Sequence, residues 1–271
     1  MEQNARMKKG IMTQKQTEEK HFVLVHGVCH GAWCWYKLKP LLESAGHRVT
    51  TLDLAASGIN THTIEEVHTF VEYSKPLLDF MASLPPNEEK VVLVGHSFGG
   101  MSIALSMDKF PEKISLGVFL TAFAPDTQHK PSHVLEEYIE RYPITGWMDT
   151  ELYYNGSSTT LALGINFLST KFYQLCSTED LELVKTLIRK GSLFPQDLSK
   201  AEKLSRERYG SVPSAYIISN EDLAIPKEYQ QWIIQNTGID VVREIKGSDH
   251  MVMLSKPQEL CLSLLEIALK Q

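Results

Sequence analysis

The sequence predicts a single α/β domain, a mostly parallel sheet wrapped by helices with one helical excursion. Three observations predict it. Short apolar runs alternate with stretches of helical periodicity through the first half of the chain. Runs such as Val91-Val92-Leu93-Val94 are apolar without alternation, as strands covered on both faces must be. A length of 271 residues with 43% hydrophobic content suits one large core.

Taken in order, His21 to Val25 reads as a buried strand that runs into His26-Gly27-Val28-Cys29-His30-Gly31. Trp35, Leu38, Leu41 and Leu42 then recur at helical spacing until Gly46 breaks the pattern. Arg48 to Leu54 is the next strand, closed by Ala55-Ala56-Ser57-Gly58. Thr63 to Ser83 is helical, with Val67, Phe70, Val71 and Leu77 as its apolar stripe. Val91 to Val94 is a third strand and Ile114 to Phe123 a fourth, ended by Ala124-Pro125-Asp126. From about Thr127 to Arg208 the alternation lapses into helical pieces and loops, with no good strand. Val134, Leu135, Tyr138, Ile139 and Tyr142 form one helical stripe there. Ser177-Thr178-Glu179-Asp180 opens another helix in the manner of a capping box. Strands resume at Ala215 to Ile218 and Val241 to Ile245, and Pro257 opens a C-terminal helix. The expected division is a core over 21–126 and 209–271, with a cap over 127–208 that covers the ligand face.

Composition excludes several function classes. The net charge is −6 and Lys and Arg form no stripe, so a nucleic-acid partner is not expected. No apolar stretch approaches the roughly 20 residues that span a bilayer, and no membrane partner is expected. Cys29, Cys34, Cys176 and Cys261 have neither metal-ligand nor disulfide-framework spacing, which suits free thiols in a reducing, cytoplasmic setting. Residues 1–20 are polar and mixed in charge, with no apolar core. They read as a disordered extension and not as a secretory signal, with Met7 and Met12 as alternative starts.

The chemistry centres on Gly95-His96-Ser97-Phe98-Gly99, set between the third strand and a helical stretch. A serine on so sharp a strand-to-helix turn is thrust out at the helix N-terminus, and glycine on either side removes side chains that would clash. A serine hydroxyl needs a base, and the base needs an anion to hold its tautomer. His250, in the loop after the last strand, is the candidate base. His96 is too close in sequence to reach Ser97 well, while His26 and His30 are expected to shape the first loop. Asp222 follows the penultimate strand, and the order Ser97, Asp222, His250 is that of serine hydrolases built on this kind of sheet. Asp126 also ends a strand on that edge and competes for the acid role, whereas Asp249 would point away from the base. The backbone N–H groups of Phe98 and Val28 are the candidate oxyanion donors, with Gly27 allowing close approach.

These motifs together carry a resemblance. His26-Gly27-Val28-Cys29-His30-Gly31-Ala32-Trp33, Leu52-Asp53-Leu54-Ala55-Ala56-Ser57-Gly58, the Ser97 pentapeptide and Gly247-Ser248-Asp249-His250-Met251 resemble the plant methylesterase and hydroxynitrile lyase family of the α/β-hydrolase fold. So does Trp35 through Glu43, and the likeness runs from about His21 to the C-terminus. The resemblance implies an enzyme without a cofactor, usually a homodimer, that cleaves small methyl esters. It also implies that Trp147 is a cap residue facing the pocket, with Thr121, Phe123, Leu152, Phe167 and Met251 as further wall candidates.

Two positions speak to the split within that family. Cyanohydrin-cleaving members typically carry threonine at Gly27 and lysine at Met251. An ammonium stabilises departing cyanide, which Met251 cannot do, and a hydroxyl-bearing side chain at Gly27 would crowd a tetrahedral adduct. Both positions favour the esterase, with an aromatic or alkaloid methyl ester as substrate. A β-carbonyl or β-imine acid released by such an esterase would lose carbon dioxide. A lyase and a small-molecule receptor with a retained triad are the two other classes.

Overall fold

The computed structural model describes residues 19–85, 90–155 and 158–269. For residues 1–18, the expected extension lies outside the described residues. The strands are β1 His21–Val25, β2 Arg48–Leu52, β3 Val91–His96, β4 Ile114–Leu120, β5 Glu151–Asn155, β6 Ser158–Ala162, β7 Ser214–Ser219 and β8 Val241–Ile245. Six of them form one parallel sheet in the order β2-β1-β3-β4-β7-β8. The inner strands β1 and β3 are buried along their whole length, as their unbroken apolar sequences require. The edge strands β2 and β8 carry Arg48, Thr50, Arg243 and Glu244 and are largely half-exposed.

The strand order positions the site. From β1 the chain turns to one side to make β2, then crosses back to lay β3 on the other side of β1. The loops after β1 and β3 therefore leave the sheet in opposite directions, opening a crevice at the carboxyl ends of the two strands. Val25 pairs with Gly95, so His26-Gly27 and His96-Ser97 emerge level with one another.

The helices are α1 Leu38–Ser44, α2 Phe70–Ser83, α3 Gly99–Lys109, α4 His133–Arg141, α5 Ile165–Phe167, α6 Thr178–Leu187, α7 Pro195–Leu198, α8 Lys227–Thr237, α9 Val252–Ser255 and α10 Pro257–Ala268. The expected helix over Thr63–Ser83 is two pieces. Thr63 with Glu66 and Thr69 with Glu72 each form a capping box, and the chain between them is extended at Val67. Each box satisfies orphan N–H groups at a helix start, so a second box within the stripe begins a second helix. Helix α8 had no counterpart in the sequence reading, although Tyr229 and Ile233 are buried one turn apart.

The segment between β4 and β7 departs from expectation in one respect. It holds α4 to α7 but also an antiparallel hairpin, β5 with β6, where no strand was expected. The sequence signal is visible in retrospect. Tyr153, Tyr154, Thr159 and Thr160 favour strands, and the sequence pair Gly156-Ser157 between them is of the Gly-X kind that two-residue hairpins use. Polar links tie this segment to the core, among them the following. Asp180 at the start of α6 accepts from Lys37 Nζ at 2.5 Å and Tyr36 Oη at 2.6 Å. The Arg189 guanidinium donates to the carbonyls of Gly58, Asn60 and His62 at 3.1, 2.6 and 2.6 Å. The Leu175 N–H donates to Asp249 at 2.8 Å. No described helix is long and apolar enough to cross a membrane.

Candidate active site

The turn after β3 is tight for a visible reason. Ser97 has φ +53°, a left-handed conformation that costs a non-glycine residue on the order of 1–3 kcal/mol. Its neighbours hold it there. The Ser97 N–H donates to Leu120 O at 3.3 Å, and its carbonyl accepts from the N–H groups of Gly100 and Phe123, both at 3.1 Å. A Cβ on Gly99 would lie 2.5 Å from His26 O, and one on Gly95 would lie 2.7 Å from Gly99 O. The paired glycines are thus demanded by backbone packing between the turn and the loop after β1.

His250 and Asp222 meet across the ends of β7 and β8. His250 Nδ1 donates to Asp222 Oδ2 at 2.7 Å, with both side chains essentially out of solvent. Asp222 is held from three further directions. Its Oδ1 accepts from the N–H groups of Ala224 at 2.7 Å and Ile225 at 2.8 Å, and Oδ2 also accepts from Thr121 Oγ1 at 2.5 Å. Four donors satisfy a carboxylate that would otherwise be costly to bury. Because Nδ1 of His250 is the donor, Nε2 bears the lone pair, and that atom is buried without a protein partner.

Asp126, the competing acid, is engaged elsewhere. Its Oδ1 accepts from the N–H groups of Gln128 and His129 at 2.6 and 2.7 Å, and its Oδ2 from His129 Nδ1 at 2.8 Å. Asp249 turns from the His250 ring and accepts from Leu175, Met251 and Ser255.

Three buried histidines shape the floor. His26 Nε2 accepts from the Leu54 N–H at 3.1 Å, so its proton is on Nδ1, which donates to Gly27 O at 2.8 Å. In a trans peptide the Val28 N–H points opposite to that carbonyl. His30 Nδ1 donates to Val28 O at 2.9 Å, leaving Nε2 to accept from Tyr173 Oη at 2.8 Å. His96 Nε2 donates to the His250 carbonyl at 2.9 Å. Burial drives the pKa of all three below the usual imidazole value, that of His30 to about 3, and keeps the rings neutral. Among the described residues, neither the Val28 nor the Phe98 N–H donates to a backbone acceptor. Gly27 abuts the serine, since a Cβ there would stand 2.9 Å from Ser97 Cβ and 3.3 Å from its Oγ.

Ser97 and His250 open into one narrow cavity of about 40 Å³. Val28, Phe123, Ala224 and Ile225 supply its core wall. Tyr138, Trp147, Leu161, Leu163, Phe167, Phe172 and Leu193 close it from the β4–β7 segment. Trp147 stacks on Phe167 with ring centroids 5.8 Å apart, and the Phe172 and His250 rings meet edge to face with centroids 4.4 Å apart. No lysine, arginine, carboxylate or thiol lines the wall, so His250 is its single side chain of metal-ligating type among the described residues.

Of the wall candidates read from the sequence, Trp147, Phe123 and Phe167 line this cavity, and three others lie outside its lining. Thr121 faces Asp222, because its φ of +38° ends β4 and turns the hydroxyl to the carboxylate. Met251 is fully buried outside the lining, and Leu152 is only half-buried on the hairpin. Sequence reasoning missed Phe172, which ends a short π-helical turn over Leu168–Phe172, and Leu193, which lies in irregular chain.

Comparison with known proteins agrees with this geometry. The profile of the Alpha/beta hydrolase family matches residues 22–262. Salicylic acid-binding protein 2 of Nicotiana tabacum is 56% identical over 93% of this chain and 98% of its own length. An alpha-hydroxynitrile lyase of Arabidopsis thaliana is also 56% identical, over 92% of this chain and 96% of its own. The crystal structure of polyneuridine aldehyde esterase is 55% identical and superposes with a TM-score of 0.90, covering 93% of this chain and all of that one, 100%. The chain belongs to the α/β-hydrolase family, and within it to the plant methylesterase and hydroxynitrile lyase group.

Proposed function

We propose that the protein hydrolyses a small, largely apolar methyl ester, with Ser97 as nucleophile, His250 as general base and Asp222 as the anion that orients the base. Relatives named as esterases, 53–55% identical, support a carboxylic ester hydrolase. The observation that carries the finer reading is the bare Nε2 of His250 in the cavity that also holds Ser97. That nitrogen takes the Ser97 proton as Oγ adds to the ester carbonyl. The N–H groups of Val28 and Phe98 receive the oxyanion. The imidazolium, stabilised by Asp222, then protonates departing methoxide as methanol. Water repeats the sequence on the acyl-enzyme and frees the acid.

Identity alone does not separate esterase from lyase, since a lyase relative is as similar as the esterases. The wall chemistry favours the ester. Gly27 leaves room beside Ser97 for a tetrahedral carbon, and no cation faces the cavity to receive cyanide. The aromatic wall of Trp147, Phe167 and Phe172 suits an aromatic or alkaloid ester. Where that ester bears a β-carbonyl or β-imine, the freed acid loses carbon dioxide and the overall reaction resembles that of a synthase. A screen of aromatic, indole-alkaloid and fatty methyl esters, read by methanol release, tests the proposal. Release of one methanol per acid from at least one class is expected. Efficient cleavage of mandelonitrile, product without methanol, or tight binding with a single slow turnover would overturn it.

A further inference from the structure

The chain that leaves β4 for the β4–β7 segment carries a cluster that the hydrolytic chemistry does not use. Asp126, His129 and His133 each offer one ligand atom, and these atoms lie within 4.8 Å of one another. Asp126 Oδ2 and His129 Nδ1 already stand 2.8 Å apart, and the His129 and His133 rings approach to 4.1 Å between centroids. We propose that Asp126, His129 and His133 form a zinc site that fastens the end of the β4 connection to the first turn of α4.

The donor set points to the ion. Two imidazoles and one carboxylate match the borderline N/O preference of zinc, whereas calcium and magnesium take oxygen ligands. Three protein ligands leave the fourth tetrahedral position to water. The carboxylate is already supported as a ligand should be. Its Oδ1 accepts two backbone N–H groups, from Gln128 and His129, which fix its plane and leave Oδ2 for the ion. The neighbouring cation is directed elsewhere, with Lys130 Nζ donating to Ser199 O at 2.7 Å.

Ligands about 2.0–2.2 Å from a tetrahedral ion stand roughly 3.3 Å apart. His129 is 53% exposed and has the side-chain freedom to close that gap. On binding, the His129 N–H···Oδ2 hydrogen bond gives way to two bonds to zinc, and the imidazole proton moves to the other ring nitrogen. Position gives the site a consequence. Phe123, three residues before Asp126, and Tyr138, five residues after His133, both line the cavity above Ser97. An ion here braces two parts of that wall.

Calorimetric titration of chelator-treated full-length protein with zinc chloride tests the site directly. One saturable ion per chain is expected, with a melting temperature that rises with zinc, because only the folded chain gathers the three ligands. His129→Ala and His133→Ala should each weaken binding at least about tenfold and abolish the thermal shift. A His62→Ala/His68→Ala control, at two exposed histidines outside the cluster, should leave both unchanged. Melting of the metal-free variants near the wild-type temperature shows that they fold. Absence of saturable binding, binding that survives both cluster variants, binding lost in the control, or saturation without a thermal shift would each overturn the site.

Discussion

Thr121 and His250 share one oxygen of Asp222. The threonine hydroxyl donates to Oδ2 at 2.5 Å and the imidazole Nδ1 to the same atom at 2.7 Å. Thr121 does this from a backbone with φ +38°, rare for a β-branched residue. The strain puts a fixed donor where the carboxylate must stay aligned with the ring. Thr121→Val should therefore lower kcat by about 10- to 100-fold with little change in KM, since one charge-assisted hydrogen bond is worth about 1.5–3 kcal/mol. Thr121→Ser should recover most of the loss. An unchanged kcat in the valine variant would make the hydroxyl a bystander.

Ser97→Ala should abolish turnover, by on the order of 10⁴ or more in kcat, with the fold retained. Alanine inherits the same left-handed backbone, so the melting temperature should barely move. Methanol release and thermal melting on one preparation separate the two effects. Residual activity near wild type would remove the serine from the mechanism.

Asp222→Asn should cost on the order of 10⁴ in kcat, because an amide cannot hold the imidazole in the same tautomer or stabilise its cation. Asp126→Asn should cost far less, since that carboxylate holds a turn and His129. Steady-state rates for the pair decide it, and the reverse ranking would hand the acid role to Asp126.

Gly27→Ala should reduce kcat/KM for esters by about 10². The new methyl would stand 2.9 Å from Ser97 Cβ, and displacement of reacting groups by even 1 Å can cost that much. Kinetics on a well-folded variant, judged by its melting curve, give the answer. Full activity would mean that the floor of the cavity is looser than its packing implies.

Asp180→Ala should destabilise the protein by about 2 kcal/mol. This is less than for a fully buried pair, because Lys37 keeps 29% exposure and can return to water. The pH dependence has a definite sign. Burial alone would raise the Asp180 pKa, but hydrogen bonds from Lys37, Tyr36 and Ser177 overcome it and leave it depressed. Its stabilisation is thus fully present above the unfolded carboxylate value near ~3.9 and fades as pH falls through the folded value. Melting temperatures of wild type and variant should differ at neutral pH and converge in acid. A gap of constant size down to the acid limit would show that the contribution is packing and not charge.

Legibility in the sequence followed the physics of each part. Buried parallel strands have to be apolar throughout, so β1, β3, β4 and β7 stood out. The glycines around Ser97 stood out because a close approach of backbones forbids any other residue there. The hairpin β5–β6 was missed because β5 lies on the surface, where exposed Tyr153 and Tyr154 blur the alternation. Thr121 was misplaced because position along a strand says which loop a residue enters, whereas a positive φ decides where its hydroxyl turns. The roles of His26 and His30 depend on which ring nitrogen carries the proton, a property of three-dimensional partners alone.

The switch in strand order between β1 and β3 has a consequence for how such a protein can change. The proposed oxyanion donors and nucleophile belong to turns of the central sheet, while most of the aromatic wall belongs to a single insertion joined at two points. Reactivity and selectivity are therefore inherited as separate modules. An exchange of residues 127–208 with those of a relative should transfer ester preference while the chemical rate constant stays with the recipient.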